Sequence, residues 1–412
     1  MHGVARLPEQ SRSFTARWIF PASAPPLERG VLTIDGDRIV AIEARGARTA
    51  DHDFGNAAIL PGFVNAHTHL DLSGMSGVAL PSADFTGWLR QVIAYRRQHS
   101  ATDVAKSVQA GLLESVKAGT TLLGDISGDG ASWAELAEAP LRAVVFRELI
   151  GLTKERAEAA WRMGQEWLGS CRPTPTCRPG LSPHAPYSAR VSLIKAAASA
   201  GLPLAIHLAE SEAERELLIE QSGPIVSFLQ DLGVWDPLGL AKSPEHVLRL
   251  TASEHPTLLV HGNFLAPTAP IPPHSSVVYC PRTHEAFGHP PHPFREMLAR
   301  GVRVALGTDS LASNPDLSIL GEARFLRATH ADLSGDTILK MATLSGAEAL
   351  GWADETGSLD AGKSADFVVI ALPNMDAVES HDLWLESSAN VSETWFRGRR
   401  VWHANSNERP DQ

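Results

Sequence analysis

His67 and His69 stand one residue apart in "LPGFVNAHTHLDLSG", at the end of an apolar run. Side chains alternate along an extended strand, so residues two apart share a face, and two imidazoles on one face can hold one ion. An HxH pair alone is a weak motif, and the chain has 17 histidines. Four other apolar, β-rich runs also end in a His or Asp. They carry His184 in "LSPHAPYS", His207 in "HLAES" with Glu210 three residues on, His261 in "VHGNF", and Asp309 in "LGTDS". His207 and Asp309 could complete a site begun by His67 and His69. Three imidazoles and a carboxylate suit Zn²⁺, and also Fe²⁺, with a position left for water.

Elements must bring these ends together. Strands are expected at Ala58–Ala66, Thr120–Asp125, Arg142–Glu148, Gly180–His184, Pro203–His207, Thr257–His261, Ser276–Cys280 and Val302–Gly307. They are short and bounded by Gly or Pro, as buried parallel strands are. Helical patterns lie between them at Thr102–Ala118 (with an N-cap Thr), Glu155–Leu168, Ala189–Ala200, Glu212–Leu232 and Pro293–Arg300. Alternating strands and helices predict an α/β chain folded as a (β/α)8 TIM-like barrel, in which functional side chains gather at the C-terminal strand ends. "IDGDRIVAI", "ADFVVIA" and "TWFRGRRVWH" read as strands near the two chain ends, with Asp35-Gly36 as a hairpin signal. Neither end can bury a core alone. The expected division is a barrel over 57–361 and a small composite β-sandwich built from 1–56 and 362–412, with "NSNERPDQ" as a frayed tail.

Composition narrows the function classes. The 412 residues are 43% hydrophobic and 20% charged, with a net charge of −11. That balance argues against general nucleic-acid binding, which needs clustered Lys and Arg, and gives no polybasic signal for an anionic membrane. No apolar run approaches the ~20 residues of a membrane span, and no signal peptide is visible. Cys171, Cys177 and Cys280 form no CxxC pair and no disulfide framework. A small-molecule substrate in a reducing, cytoplasmic compartment is the expectation, and a homodimer is compatible with it. His246, His255, His274 and His381 occupy no strand end and read as surface residues. His284, His289 and His292 follow the seventh strand and could line the mouth.

The ordered series "PGFVNAHTHL", "HLAES", "HG", "GTDS", then "TLSGAEALG" and "GKSADFVVI", resembles the amidohydrolase superfamily along the whole barrel. Binuclear members of that family carry a carboxylated lysine, usually at strand 4. Here strand 4 ends in His184 and strand 3 offers Arg147 and Glu148, so the resemblance implies one divalent ion. The "HLAE" step is similar to the deaminase branch. Carried over by motif, His67, His69, His207 and Asp309 would be ligands, Glu210 would shuttle protons, and His261 would hold or polarise the attacking water. Asp309 and His261 would also receive or orient its departing proton.

A finer likeness, in "CPRTHEAFGHPPHPFREMLARGVRVALGTDS" and "LASNPDLSILGEARF", is to bacterial aminodeoxyfutalosine deaminases, of an alternative menaquinone pathway. Their substrate carries a benzoate, which would want a cation such as Arg90, Arg147 or Arg282. The implied activity is hydrolytic deamination of an aminated N-heterocycle or nucleoside, foremost 6-amino-6-deoxyfutalosine. The alternatives are methylthioadenosine, adenosylhomocysteine, adenosine, guanine or cytosine deamination, ring opening or dechlorination, or a non-catalytic scaffold. Candidate substrate contacts are His184, Trp88 in the segment Asp71–His99, Ser310 and Asn314. Asp71 could lie behind the ligands or on the substrate.

Overall fold

The computed structural model describes residues 11–78, 81–82 and 84–404. Eight parallel strands follow one another in chain order around a barrel: β1 (Phe63–Thr68), β2 (Thr120–Ser127), β3 (Arg142–Leu149), β4 (Cys177–Pro183), β5 (Leu204–Leu208), β6 (Thr257–His261), β7 (Ser275–Tyr279) and β8 (Val304–Leu306). They are buried along almost their whole length, so they read as continuous apolar runs rather than alternating ones.

The barrel closes where β8 returns to β1. A parallel bridge pairs Thr68 with Asp309, and the His67 carbonyl accepts from the backbone N–H groups of Thr308 and Asp309, both at 3.1 Å. Asn65 staples the same seam. Its Nδ2 donates to Thr308 Oγ1 at 2.8 Å, and its Oδ1 accepts from Thr308 N at 3.1 Å. A Cβ on Gly307 would meet the His67 Cβ and carbonyl at 3.0 Å, so this approach requires glycine.

Several expected elements differ in detail. The run Ala58–Ala66 is two strands in two sheets: Ala57–Pro61 pairs with Phe367–Ala371 outside the barrel, and β1 begins at Phe63. Gly62 makes the switch, since any Cβ there would collide with Thr121. Glu212–Leu232 is also two elements, Glu212–Glu220 and Pro224–Asp231. Gln221 and Gly223 take left-handed φ values of 52° and 89° between them, and Pro224 has no N–H to continue the first helix. Two helices, α1 (Phe85–Gln98) and α2 (Ala101–Lys117), follow β1. The cap of α2 is Ser100, not Thr102. Ser100 Oγ accepts from Asp103 N, and the Asp103 carboxylate accepts from Ser100 N, a reciprocal box that a Thr102 cap could not form.

Both chain ends build the outer unit. A six-stranded sheet runs Arg399–His403, Val391–Phe396, Phe367–Ala371, Ala57–Pro61, Trp18–Ile19, Leu27–Glu28. A four-stranded sheet runs Arg38–Glu43, Val31–Asp35, Arg12–Thr15, His52–Asp53. "TWFRGRRVWH" is therefore a hairpin, turning at Arg397 and Gly398 with φ of 50° and 70°. One apolar cluster with Phe14, Ile34, Ile59, Phe367 and Trp395 lies between the two sheets. Arg142 at the start of β3 ties this unit to the barrel by a buried ion pair with Asp366. His381, expected at the surface, is buried with its ring 4.9 Å from Phe20. The tail 405–412 lies outside the described residues. Among the described residues no helix is long and apolar enough to cross a membrane.

Asp125 on β2 fixes the turn that follows His69. Its carboxylate accepts from Leu70 N at 2.9 Å and from Ser132 Oγ at 2.5 Å. Burial pushes this carboxyl up to about 7, against ~3.9 for an exposed Asp. A raised folded-state pKa favours the protonated acid on folding, so its stabilisation is complete below about pH 4 and is lost as pH rises through about 7. Thermal melts between about pH 5 and 8 should show the wild type losing several degrees more than Asp125→Asn. Parallel slopes would mean that Asp125 titrates as an ordinary carboxylate.

Candidate metal centre

The C-terminal ends of β1, β5, β6 and β8 deliver His67, His69, His207, His261 and Asp309 to one buried place. His67 and His69 share a face, with ring centroids 4.9 Å apart. Thr68, between them, points the other way and donates to the Asp309 carbonyl at 3.1 Å. Asp309 Oδ1 lies 3.4 Å from His67 Nε2 and 3.5 Å from His69 Nε2. His69 Nε2 is 3.3 Å from His207 Nε2. Ser313 Oγ donates to Asp309 Oδ2 at 2.5 Å and so turns Oδ1 toward the imidazoles. Three residues here have positive φ without being glycine: Ala209 (52°), His261 (69°) and Asp309 (58°). Such backbone strain persists only where the surroundings over-determine it.

The donors are in the right state to bind a cation. Burial drives His67, His69 and His261 well below the ordinary imidazole range, and drives His207, with His184 adding to the effect, down to about 4. All four are therefore neutral near pH 7. His207 Nδ1 donates to the His184 carbonyl at 2.8 Å, which leaves Nε2 with its lone pair facing the site. Among the described residues, both ring nitrogens of His67 and Nδ1 of His69 have no hydrogen-bond partner, a costly condition for buried polar atoms unless something else engages them. Ligand atoms on a four-coordinate ion with bonds of about 2.0–2.1 Å lie about 3.3–3.4 Å apart. The spacings of 3.3, 3.4 and 3.5 Å fit that. Two overlapping donor groups satisfy the proximity a metal needs, His67–His69–His207 and His67–His261–Asp309.

Glu210 sits beside this cluster, its Oε1 3.5 Å from His261 Nε2. Burial, then the neighbouring Asp309 and Glu214, pushes its carboxyl well up, while a bound cation would pull it down. A group between such influences can both hold and release a proton. Its loop is held by the buried Glu214, whose carboxylate accepts from Ala209 N at 2.8 Å and Glu210 N at 3.3 Å. Asn263 Nδ2 donates to the Glu210 carbonyl at 2.9 Å. His292 does not reach the cavity but donates Nε2–H to the His261 carbonyl at 2.8 Å. His284 is engaged by the Pro290 carbonyl.

A cavity of about 50 Å³ opens on the cluster and is lined by His184, Trp88 and Ser310 among others. Trp88 also packs, donating Nε1–H to the Ala312 carbonyl at 3.0 Å. Asn314 is not brought to this wall: its Nδ2 donates to the Thr308 carbonyl and to Glu322 Oε1, both at 2.6 Å. The three arginines considered for a benzoate are engaged elsewhere, Arg90 by Asp231, Arg147 by the Gly128 carbonyl, and Arg282 by Asp316 and Glu322. Arg96 of α1 lines this cavity and pairs with Glu148 at 2.6 Å and Asp71 at 3.1 Å. Sequence reasoning missed Arg96, Tyr187 and the role of Glu148. The only signal for Glu148 was its place at the end of β3. Asp71 is Arg96's second partner, and its Oδ2 also accepts from Gly128 N at 3.4 Å.

The model of the Amidohydrolase family matches residues 58–401. The 5-methylthioadenosine/S-adenosylhomocysteine deaminase of Moorella thermoacetica is 32% identical over 391 residues, covering 89% of this chain and 86% of its own. The crystal structure of Helicobacter pylori aminofutalosine deaminase superposes with a TM-score of 0.81 at 24% identity, over 95% of this chain and all of that one. An adenosine deaminase from Xanthomonas campestris with bound zinc gives a TM-score of 0.75 at 24% identity, over 94% and 92% of the two chains.

Zn²⁺ added to chelator-treated protein should raise its melting temperature, by about 2.7 kcal/mol of stability at a hundredfold excess over Kd. His207→Ala should lose most of that shift. A wild type that does not respond would remove the metal centre.

Proposed function

Because the chain belongs to the amidohydrolase family, we propose that His67, His69, His207 and Asp309 hold one divalent ion, Zn²⁺ before Fe²⁺, and that the site deaminates a purine-type nucleoside. The enzyme is a hydrolase of carbon–nitrogen bonds, an aminohydrolase of the deaminase branch. The observation that carries the proposal is the convergence of these four donors with an acid that need not be a ligand, Glu210, next to them. A divalent ion bound there lowers the pKa of a water toward ~7 and makes hydroxide available at neutral pH.

The remaining work falls to side chains of the chain. His261 and Asp309 orient the attacking water and take up its departing proton. Glu210 protonates the ring nitrogen next to the amine-bearing carbon, and water's oxygen adds to that carbon. Collapse of the tetrahedral centre expels ammonia. Water's oxygen becomes the carbonyl; of its two protons, one leaves with the amine and the other restores Glu210, replacing the proton given to the ring nitrogen. Zinc base deaminases divide the labour in the same way, with a Glu that is not a ligand as acid and base.

Two substrate classes head the reading. 6-Amino-6-deoxyfutalosine is favoured by the fold likeness to the H. pylori enzyme and by "CPRTHEAFGHPPHPF". Methylthioadenosine or adenosylhomocysteine is favoured by the M. thermoacetica relative. Each is a nucleoside whose 5′ hydroxyl is replaced by another group. An outer, mostly apolar cavity of about 260 Å³, lined by Leu89, Val92, Phe228 and Leu232, supports room for one. Three free, buried cysteines suit a reducing, cytoplasmic compartment.

Ammonia release should be measured across aminodeoxyfutalosine, methylthioadenosine, adenosylhomocysteine, adenosine, guanine and cytosine, with metal analysis of the same sample. Turnover is expected on 5′-substituted nucleosides ahead of free bases. No ammonia from any of them would shift the activity to another hydrolysis. Glu210→Gln should keep its metal and lose about 10²–10⁴-fold in kcat; full activity in that variant would remove the acid/base role.

A further inference from the structure

The inner cavity over the metal cluster and the outer apolar cavity are neighbours that share Leu89, Val92, Arg96, His184 and Tyr187 in their walls. A nucleoside with its base at the metal and its 5′ arm in the outer cavity must carry its sugar past that junction. Glu148, from the end of β3, lines the inner cavity there. Its side chain is 2% exposed. One oxygen, Oε2, is held by Arg96 Nη1 at 2.6 Å. The other, Oε1, is buried and has no hydrogen-bond partner among the described residues; it lies 3.8 Å from His184 Nε2. A buried carboxylate oxygen left unmatched is costly unless a donor arrives.

We propose that Glu148 is a specificity-determining residue that accepts a hydrogen bond from a sugar hydroxyl of the substrate through its free Oε1. The assignment rests on the deaminase reading for where base and arm lie. An ionised carboxylate can only accept, so it recognises a donor and repels an anion. This matches a hydroxyl and excludes a substrate carboxylate or phosphate at this point. Arg96 keeps the group ionised: against the burial that works to raise it, the guanidinium's charge and hydrogen bond hold Glu148 down to about 2. Arg96 comes from α1, so the acceptor is complete only when that helix lies over the mouth.

The competing account makes Glu148 merely the counter-ion of Arg96. Calorimetry with zinc-loaded full-length protein separates the two. The probes are inosine, 2′-deoxyinosine and 3′-deoxyinosine, which have no amine to lose. Wild type should bind inosine about 10- to 100-fold more tightly than one of the deoxy forms, the size expected for a hydrogen bond to a charged group. Glu148→Gln, which keeps shape but not charge, should reduce that preference to a few-fold. Glu148→Leu should abolish it, with zinc content unchanged in both. Equal binding of the three nucleosides by wild type, no binding of inosine, or a preference that survives both variants would overturn the assignment. Hydroxyl-dependent binding without ammonia release from any nucleoside would leave Glu148 its role and remove the deaminase reading instead.

Discussion

The seam between β1 and β8 is the constraint on which the site depends. Asn65 and Thr308 are 243 residues apart in the chain, yet Asn65 binds Thr308 through both ends of its amide, and the His67 carbonyl takes the N–H groups of Thr308 and Asp309. These backbone bonds put the Asp309 carboxylate against the His67 and His69 imidazoles before any ion is considered. An open sheet would leave the first and last strands at opposite edges. Closure alone makes them neighbours, and the small residue at Gly307 lets them come close enough.

Around that seam the fold holds groups that an ordinary core would reject. Asp71, Glu148, Glu210 and Asp309 are all buried near the mouth with one arginine, Arg96, among them. Burying carboxylates is unfavourable unless each is paired or hydrogen-bonded. Ser313 serves Asp309, and Arg96 serves both Asp71 and Glu148. Glu210 has its backbone fixed by Glu214 and Asn263, but its carboxyl faces the cluster, and among the described residues only His261 lies within 4 Å as an ion-pair partner. The least compensated carboxyl is thus the one best placed to exchange a proton.

The strand ends were legible because buried parallel strands are apolar from end to end, so a polar residue at the C-terminal end stands out. Thr257–His261 matched to the residue, and the other barrel strands shifted by a few positions. The barrel followed from that contrast, and so did the candidates His67, His69, His207, His261 and Asp309; Glu210 was singled out by its place three residues after His207 in "HLAES". What failed depended on long-range contact. Nothing in "GWLRQVIAYRRQ" separates Arg96 from Arg90 or Arg97; only the docking of α1 on β3 and on the turn after β1 selects it. Asn314 looked equivalent to Ser310, but its amide is used inside by Glu322. His381 carried no periodic signal for burial, because it packs on Phe20 from the other end of the chain.

Dividing the mouth between two sources has a consequence for how the site can act. The candidate ligands and Glu210 come from barrel strands and their immediate loops, and the strands are tied to their neighbours by backbone hydrogen bonds. Arg96, Trp88, Leu89 and Val92 come from α1, which reaches the site through side-chain contacts, the Arg96 ion pairs and the Trp88 bond to Ala312. Side-chain contacts of that kind open at lower free energy than a barrel ladder. On the proposed reading, the chemistry sits on the barrel ladders, while substrate discrimination sits where strand and docked helix meet. Glu148 stands at that boundary, one carboxylate shared between a strand held on both sides by backbone ladders and a helix held there by side-chain contacts.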